Sequence, residues 1–148
     1  MDRIDGRGED DFIQTGNGQD RLTGGDGDDR VFAGENDDTL FGNAGADALN
    51  GEGGADTLEG GTGDDTLSGG FGRDTFVFNG TNTAEDTITD WQDGVDLIEI
   101  TSRQVNRFAD LDIAGNGTDT VTVTFGDNAI VIHSASAFTL TNDDFSIL

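Results

Sequence analysis

The sequence predicts an all-β chain, in which a two-sheet parallel solenoid with 18 residues per coil is followed by a β-rich C-terminal region. Three observations carry that prediction. From Thr15 to Val77 an aspartate recurs every nine residues without a slip, at Asp20, Asp29, Asp38, Asp47, Asp56, Asp65 and Asp74. Two residues after each stands an apolar side chain (Leu22, Val31, Leu40, Leu49, Leu58, Leu67, Phe76), and two residues before each stands Gly18, Gly27, Asn36, Gly45, Gly54, Gly63 or Gly72. Beyond Phe78 the period ends, glycine falls from 19 in residues 1–78 to 5 in residues 79–148, and β-branched residues take over.

Written as nonapeptides, the units are TGNGQDRLT, GGDGDDRVF, AGENDDTLF, GNAGADALN, GEGGADTLE, GGTGDDTLS and GGFGRDTFV, each a form of G-G-x-G-x-D-x-U-x with U apolar. Six glycine-rich positions imply a turn with unusual backbone angles, and the last three imply a short strand with one inward side chain. Two units then make one coil. The inward residues fall into two stacks, with Val31, Leu49 and Leu67 on one sheet and Leu22, Leu40, Leu58 and Phe76 on the other. A core one side chain thick offsets little of the ordering entropy, about 1 to 2 kcal/mol per residue, so the turns must contribute.

A glycine-rich turn exposes backbone carbonyls, and its closing aspartate adds a carboxylate. An oxygen-only shell of this kind suits a hard cation such as Ca2+, which takes roughly six to eight oxygens. Turns two units apart stack, so an ion fits between Asp20 and Asp38, Asp29 and Asp47, Asp38 and Asp56, Asp47 and Asp65, or Asp56 and Asp74: five gaps from seven turns. An earlier unit, Asp5 to Ile13, fits the template with Asp10 closing the turn and Phe12 inward, leaving Gln14 as one residue too many. The gap from Asp10 to Asp29 is then a sixth site, and further ions are expected only at the ends.

At these residues the chain resembles the repeats-in-toxin (RTX) family of calcium-binding β-roll proteins. The resemblance implies a right-handed β-roll, folding triggered by calcium, and export by a bacterial type I pathway to the extracellular space. Asn43 and Glu52 replace the second glycine of their units and Asn36 the fourth-position glycine. Since Glu tolerates positive φ poorly, the turns at Asn43 and Glu52 are expected to be distorted.

Composition agrees. The formal charge of -24 and hydrophobic content of 32% would by themselves place the chain near the disordered class. So acidic a surface repels nucleic acid and anionic membranes, and its natural partners are cations. Residues 1–78 hold 19 acidic residues against 5 Arg, or -14, and five or six Ca2+ would bring +10 to +12. The absence of Cys excludes disulfides and thiolate metal sites. No apolar run reaches membrane-span length, and Met1 to Asp5 is not a cleavable signal. The chain begins inside a repeat, as expected of a piece cut from a longer protein.

Two regions are therefore expected, a calcium-binding roll over 1–78 and a β-rich cap over 79–148. In the second, 86–91 and 95–100 alternate around a turn at Gln92-Asp93-Gly94, and 120–125 and 129–133 flank Gly126-Asp127-Asn128 as a hairpin. The segments 111–113, 138–140 and 145–148 are shorter strand candidates, and 102–110 could make two helical turns. Asp86 to Trp91 and Gly94 to Ile98 resemble the D-x-I-x-D-aromatic and G-x-D-x-I flanks that follow the roll in type I secreted proteins. Phe76, Phe78, Ile88, Trp91, Ile98 and Ile100 could cover the last coil. Asp86, Asp90, Asp93 and Asp96 read as a polar strand edge, the alternative being an extra calcium site. The acidic pair before the final Phe145-Ser146-Ile147-Leu148 resembles a C-terminal secretion signal.

No catalytic constellation is present: His133 is the only histidine, and neither G-x-S-x-G nor a phosphate loop occurs. The reading is a non-catalytic calcium-binding module whose partners are calcium and the type I secretion machinery. The alternative is a polysaccharide- or surface-binding module of a secreted epimerase or adhesin, which would show clustered outward aromatics or Arg. Phe32 and Phe41 are expected on opposite sheets, forming no patch.

Overall fold

The repeats do form strands and turns, but the strands reach further into the glycines than the template suggests. The computed structural model describes residues 1–80, 84–101 and 105–148. In the repeats the strands are β1 (Arg3–Gly8), β2 (Phe12–Gln14), β3 (Arg21–Asp26), β4 (Arg30–Glu35), β5 (Thr39–Ala44), β6 (Ala48–Gly53), β7 (Thr57–Thr62), β8 (Thr66–Ser68) and β9 (Thr75–Phe78). Alternation sets two inward positions per strand: in β3 both Leu22 and Gly24 are buried, and in β6 both Leu49 and Gly51. The leading glycine of a unit is thus a strand residue facing inward. Only about three residues, such as Gly27-Asp28-Asp29, are left to turn the chain.

Odd- and even-numbered strands separate into the two predicted sheets. One has the order β1-β3-β5-β7-β9 and the other β2-β4-β6-β8, all pairs parallel, with Leu22 opposite Leu40 and Val31 opposite Leu49. The first unit departs from the expected phase. Ile13, not Phe12, lies opposite Val31; Ile13 is 6% exposed and Phe12 66%. The unit is Gly6 to Gln14 with Asp11 closing it, and no residue is superfluous. Asp2 stands where the next aspartate back would fall, its Ile4 opposite Leu22, so the nine-residue period runs unbroken to the second residue. Glycine content concealed this, because Arg7 and Glu9 take the positive-φ positions (81° and 77°) while Gly6 and Gly8 do not. Asn36, Asn43 and Glu52 also adopt positive φ (83°, 79° and 69°), so the turns at Asn43 and Glu52 keep the repeat conformation and carry strain in it.

The sheets do not stop at residue 78. They continue through β10 (Glu85–Ile88) on β8 and β11 (Leu97–Ile100) on β9, both parallel, with Ile88 opposite Leu67 and Ile98 opposite Phe76. The turn at 92–94 therefore joins opposite sheets and makes no hairpin. Beyond lie β12 (Asp112–Ala114), β13 (Thr118–Phe125), β14 (Asn128–Phe138) and β15 (Phe145–Ile147). β13 and β14 form the expected antiparallel hairpin, β14 pairs parallel with β10, and β15 pairs parallel with β11. The expected helical turns at 102–110 reduce, among the described residues, to one 3-10 turn at Phe108–Asp110; residues 102–104 lie outside them. The apolar core is continuous from Ile13 to Leu140. Trp91, 1% exposed, packs between Phe76 and Phe138 at ring separations of 6.3 and 6.5 Å.

Candidate metal centre

The closing aspartates Asp20, Asp29, Asp38, Asp47, Asp56, Asp65 and Asp74 are all buried, at 0 to 3% exposure. Seven isolated carboxylates in an apolar stack would be prohibitive. Half of each is accounted for by the coil before it: the Asp38 amide donates to Asp56 Oδ1 at 2.8 Å and the Asp47 amide to Asp65 Oδ1 at 2.9 Å. These bonds form two rows, one through Asp2, Asp20, Asp38, Asp56 and Asp74, the other through Asp11, Asp29, Asp47 and Asp65.

The other oxygen has no donor. Oδ2 of Asp11, Asp20, Asp29, Asp38, Asp47, Asp56, Asp65 and Asp74 is buried without a hydrogen-bond partner. It points at the leading position of its own unit: a methyl group placed on Gly42 would overlap both Asp47 Oδ2 and the Gly60 carbonyl, and one on Gly51 would overlap Asp56 Oδ2 and the Gly69 carbonyl. Glycine there leaves a cradle between one carboxylate oxygen and a carbonyl of the following coil. Fourth-position carbonyls also face the next coil, Gly27 toward Gly45 and Gly45 toward Gly63. Among the described residues no three acidic, His or Cys side chains converge, so a cation here would draw much of its shell from the backbone. A hard, oxygen-seeking ion fits that donor set.

Electrostatics point the same way. Burial pushes the Asp47 carboxyl up to about 6 and those of Asp56 and Asp65 to about 7, against the opposing amide hydrogen bonds, and it raises Asp29, Asp38 and Asp74 too. Asp20 goes the other way, held low chiefly by the Asp2 amide. Without a cation the folded rows make these carboxylates, Asp20 apart, harder to ionise than in the unfolded chain.

Asp10 is exposed at the outer rim, where its carboxylate accepts from the Asp28 amide at 3.0 Å, and Asp11 takes the closing place expected of it. A groove past Asp10, Asp28, Asp47 and Asp64 opens that side to solvent. Gly18, Gly27, Gly45, Gly54, Gly63 and Gly72 all hold positive φ in the turns, as does Asn36. Two of the aspartates expected at a strand edge lie in the carboxylate rows instead. Asp86 and Asp96, 8% and 4% exposed, extend the rows by accepting from the Asp65 and Asp74 amides at 3.1 Å, and burial raises both to about 6. Their signal was present: each stands two residues before an inward isoleucine, Ile88 or Ile98, the D-x-U of the repeats. Asp90 caps the last regular turn, accepting from Ser68 Oγ and the Gly69 and Gly70 amides. Asp93 stays exposed.

Stacked turns with buried half-satisfied carboxylates, glycine cradles and carbonyl walls define a calcium-binding nonapeptide solenoid. Residues 5–76 belong to the RTX calcium-binding nonapeptide repeat family, whose four-copy family model matches over 5–40, 23–58 and 41–76. These repeats are a non-catalytic calcium-binding module, typical of secreted bacterial proteins. A similar solved structure is the AlgE6R3 subunit of the Azotobacter vinelandii mannuronan C5-epimerase, 25% identical with a TM-score of 0.60, covering 87% of this chain and 80% of that one. The extracellular lipase LipA of Serratia marcescens shares the fold at 18% identity and a TM-score of 0.58; the match covers 95% of this chain but 38% of the lipase. No curated protein matches the chain.

Proposed function

We propose that this chain is a module of a type I secreted protein that stays unfolded until calcium reaches it outside the cell, residues 79–148 closing the C-terminal end of the roll. The observation that carries the reading is the double row of buried Oδ2 atoms without a donor. Calcium, when bound, supplies the positive charge those rows lack. Asp29, Asp38, Asp47, Asp56, Asp65 and Asp74 would hold it, joined by Asp11 and by carbonyls of residues such as Gly27, Gly45 and Gly60. Extracellular modules of this kind bind at about 0.1 to 1 mM, far above cytosolic free calcium, so the chain could pass an export channel as a thread and fold beyond it.

The polysaccharide reading has less behind it. Phe32 does lie beside an outward aromatic, Phe12, with ring centroids 5.6 Å apart, because Ile13 and not Phe12 faces inward. Phe41 lies on the other sheet, under the Arg21 guanidinium at 4.1 Å. Two separate contacts on opposite faces make no sugar-binding platform.

Far-UV circular dichroism tests the calcium reading. In EGTA the spectrum should be that of a disordered chain, converting cooperatively to β on adding Ca2+. Mg2+ at equal concentration should fail, since its tight octahedron does not suit carbonyl-lined turns. A β spectrum unchanged by EGTA would refute the reading.

A further inference from the structure

Among the leading residues of the closed turns, glycine stands at Gly6, Gly24, Gly42, Gly51, Gly60 and Gly69, where no side chain enters the cradle beside the closing aspartate. The Thr15 turn is different. Thr15 fills that position, and its hydroxyl donates to the Ala33 carbonyl at 2.6 Å. In register that carbonyl corresponds to the Gly60 oxygen at the Gly42 cradle and the Gly69 oxygen at the Gly51 cradle, each 18 residues after its leading residue. One side chain thus occupies the cavity and also engages the carbonyl that would line it. The carboxylate of the same turn has other company. Asp20 Oδ1 accepts from the Asp2 amide, while its Oδ2 stays buried. The next turn on that side has Ala33 in the leading place, whose methyl group narrows the cradle beside Asp38 but carries no hydroxyl to take up its carbonyl.

We propose that the turn from Thr15 to Asp20 takes no calcium: Thr15 replaces the ion with a covalently attached hydroxyl, and the row on that side begins one gap later. This rests on the calcium reading above. It predicts that of the six gaps Asp11–Asp29, Asp20–Asp38, Asp29–Asp47, Asp38–Asp56, Asp47–Asp65 and Asp56–Asp74, the second stays unfilled. Such a turn would give the roll a segment whose closure does not wait for the metal.

Equilibrium dialysis at saturating Ca2+ counts the ions. Thr15→Gly should bind one more ion per chain than the wild type, because it restores the cradle and frees the Ala33 carbonyl. Asp20→Asn should leave the wild-type count unchanged, whereas Asp47→Asn should lower it. An unchanged count in Thr15→Gly, or a count reduced by one in Asp20→Asn, overturns the proposal; if Thr15→Gly does not fold in calcium, the Asp20→Asn count decides alone. A wild type that binds no calcium would instead remove the calcium reading itself.

Discussion

At the scale of single residues the closing aspartate does two jobs with two oxygens. Oδ1 takes the amide of the coil before and fixes the stacking distance; Oδ2 is buried without a donor, the place proposed above for the cation. The raised carboxyls of Asp47, Asp56 and Asp65 give this a pH signature. A carboxyl whose folded pKa exceeds its unfolded value takes up a proton on folding. The calcium-free roll is therefore helped fully below pH about 4 and loses that help as pH rises through 6 to 7. With calcium present the starting state is the unfolded chain, whose aspartates titrate near the ordinary value. The calcium midpoint should therefore be nearly equal at pH 8 and pH 5.5 and rise only as pH falls toward about 4, measured by circular dichroism titration; a rise of about tenfold already at pH 5.5 would show that the calcium-free chain holds the folded rows.

At the scale of strands and turns, much was legible because the period is a geometric necessity: a parallel stack of equal coils demands equal residue numbers, and apolar side chains two after each aspartate can only be the inward row. Two things were not legible. The inward role of the leading glycine is silent in a template that treats all glycines as turn residues, although Gly24 and Gly51 face the core. The phase of the first unit was misread because Gly6 and Gly8 mimic the template while Arg7 and Glu9 occupy the strained positions. Counting back nine from Asp20 would have given Asp11 and Asp2. The corrected phase has a direct consequence. Ile13→Ala should destabilise the calcium-loaded fold by about 2 to 4 kcal/mol, whereas Phe12→Ala, at an exposed site, should cost under about 1 kcal/mol. Urea unfolding in calcium measures both, and the reverse order would restore Asp10 as the closing residue.

At the scale of the whole molecule, the division near residue 78 marks a change in what holds the coils and leaves the sheets unbroken. Up to Asp74 each coil is a pair of nine-residue units with a thin core. Beyond it Asp86 and Asp96 continue the carboxylate rows, while Trp91, Phe76 and Phe138 thicken the apolar centre. That thickening was visible as a rise in β-branched residues. The parallel return of β14 and β15 onto β10 and β11 was not, because parallel pairing across long connections leaves no local pattern. The central claim is that a chain of formal charge -24 cannot hold this shape without the metal. Small-angle X-ray scattering tests it most directly. In EGTA at neutral pH the radius of gyration should approach the unfolded value for this length, about 40 Å, and in millimolar Ca2+ it should fall toward the compact-domain value of about 15 Å. A radius near the compact value in both solutions would contradict the account.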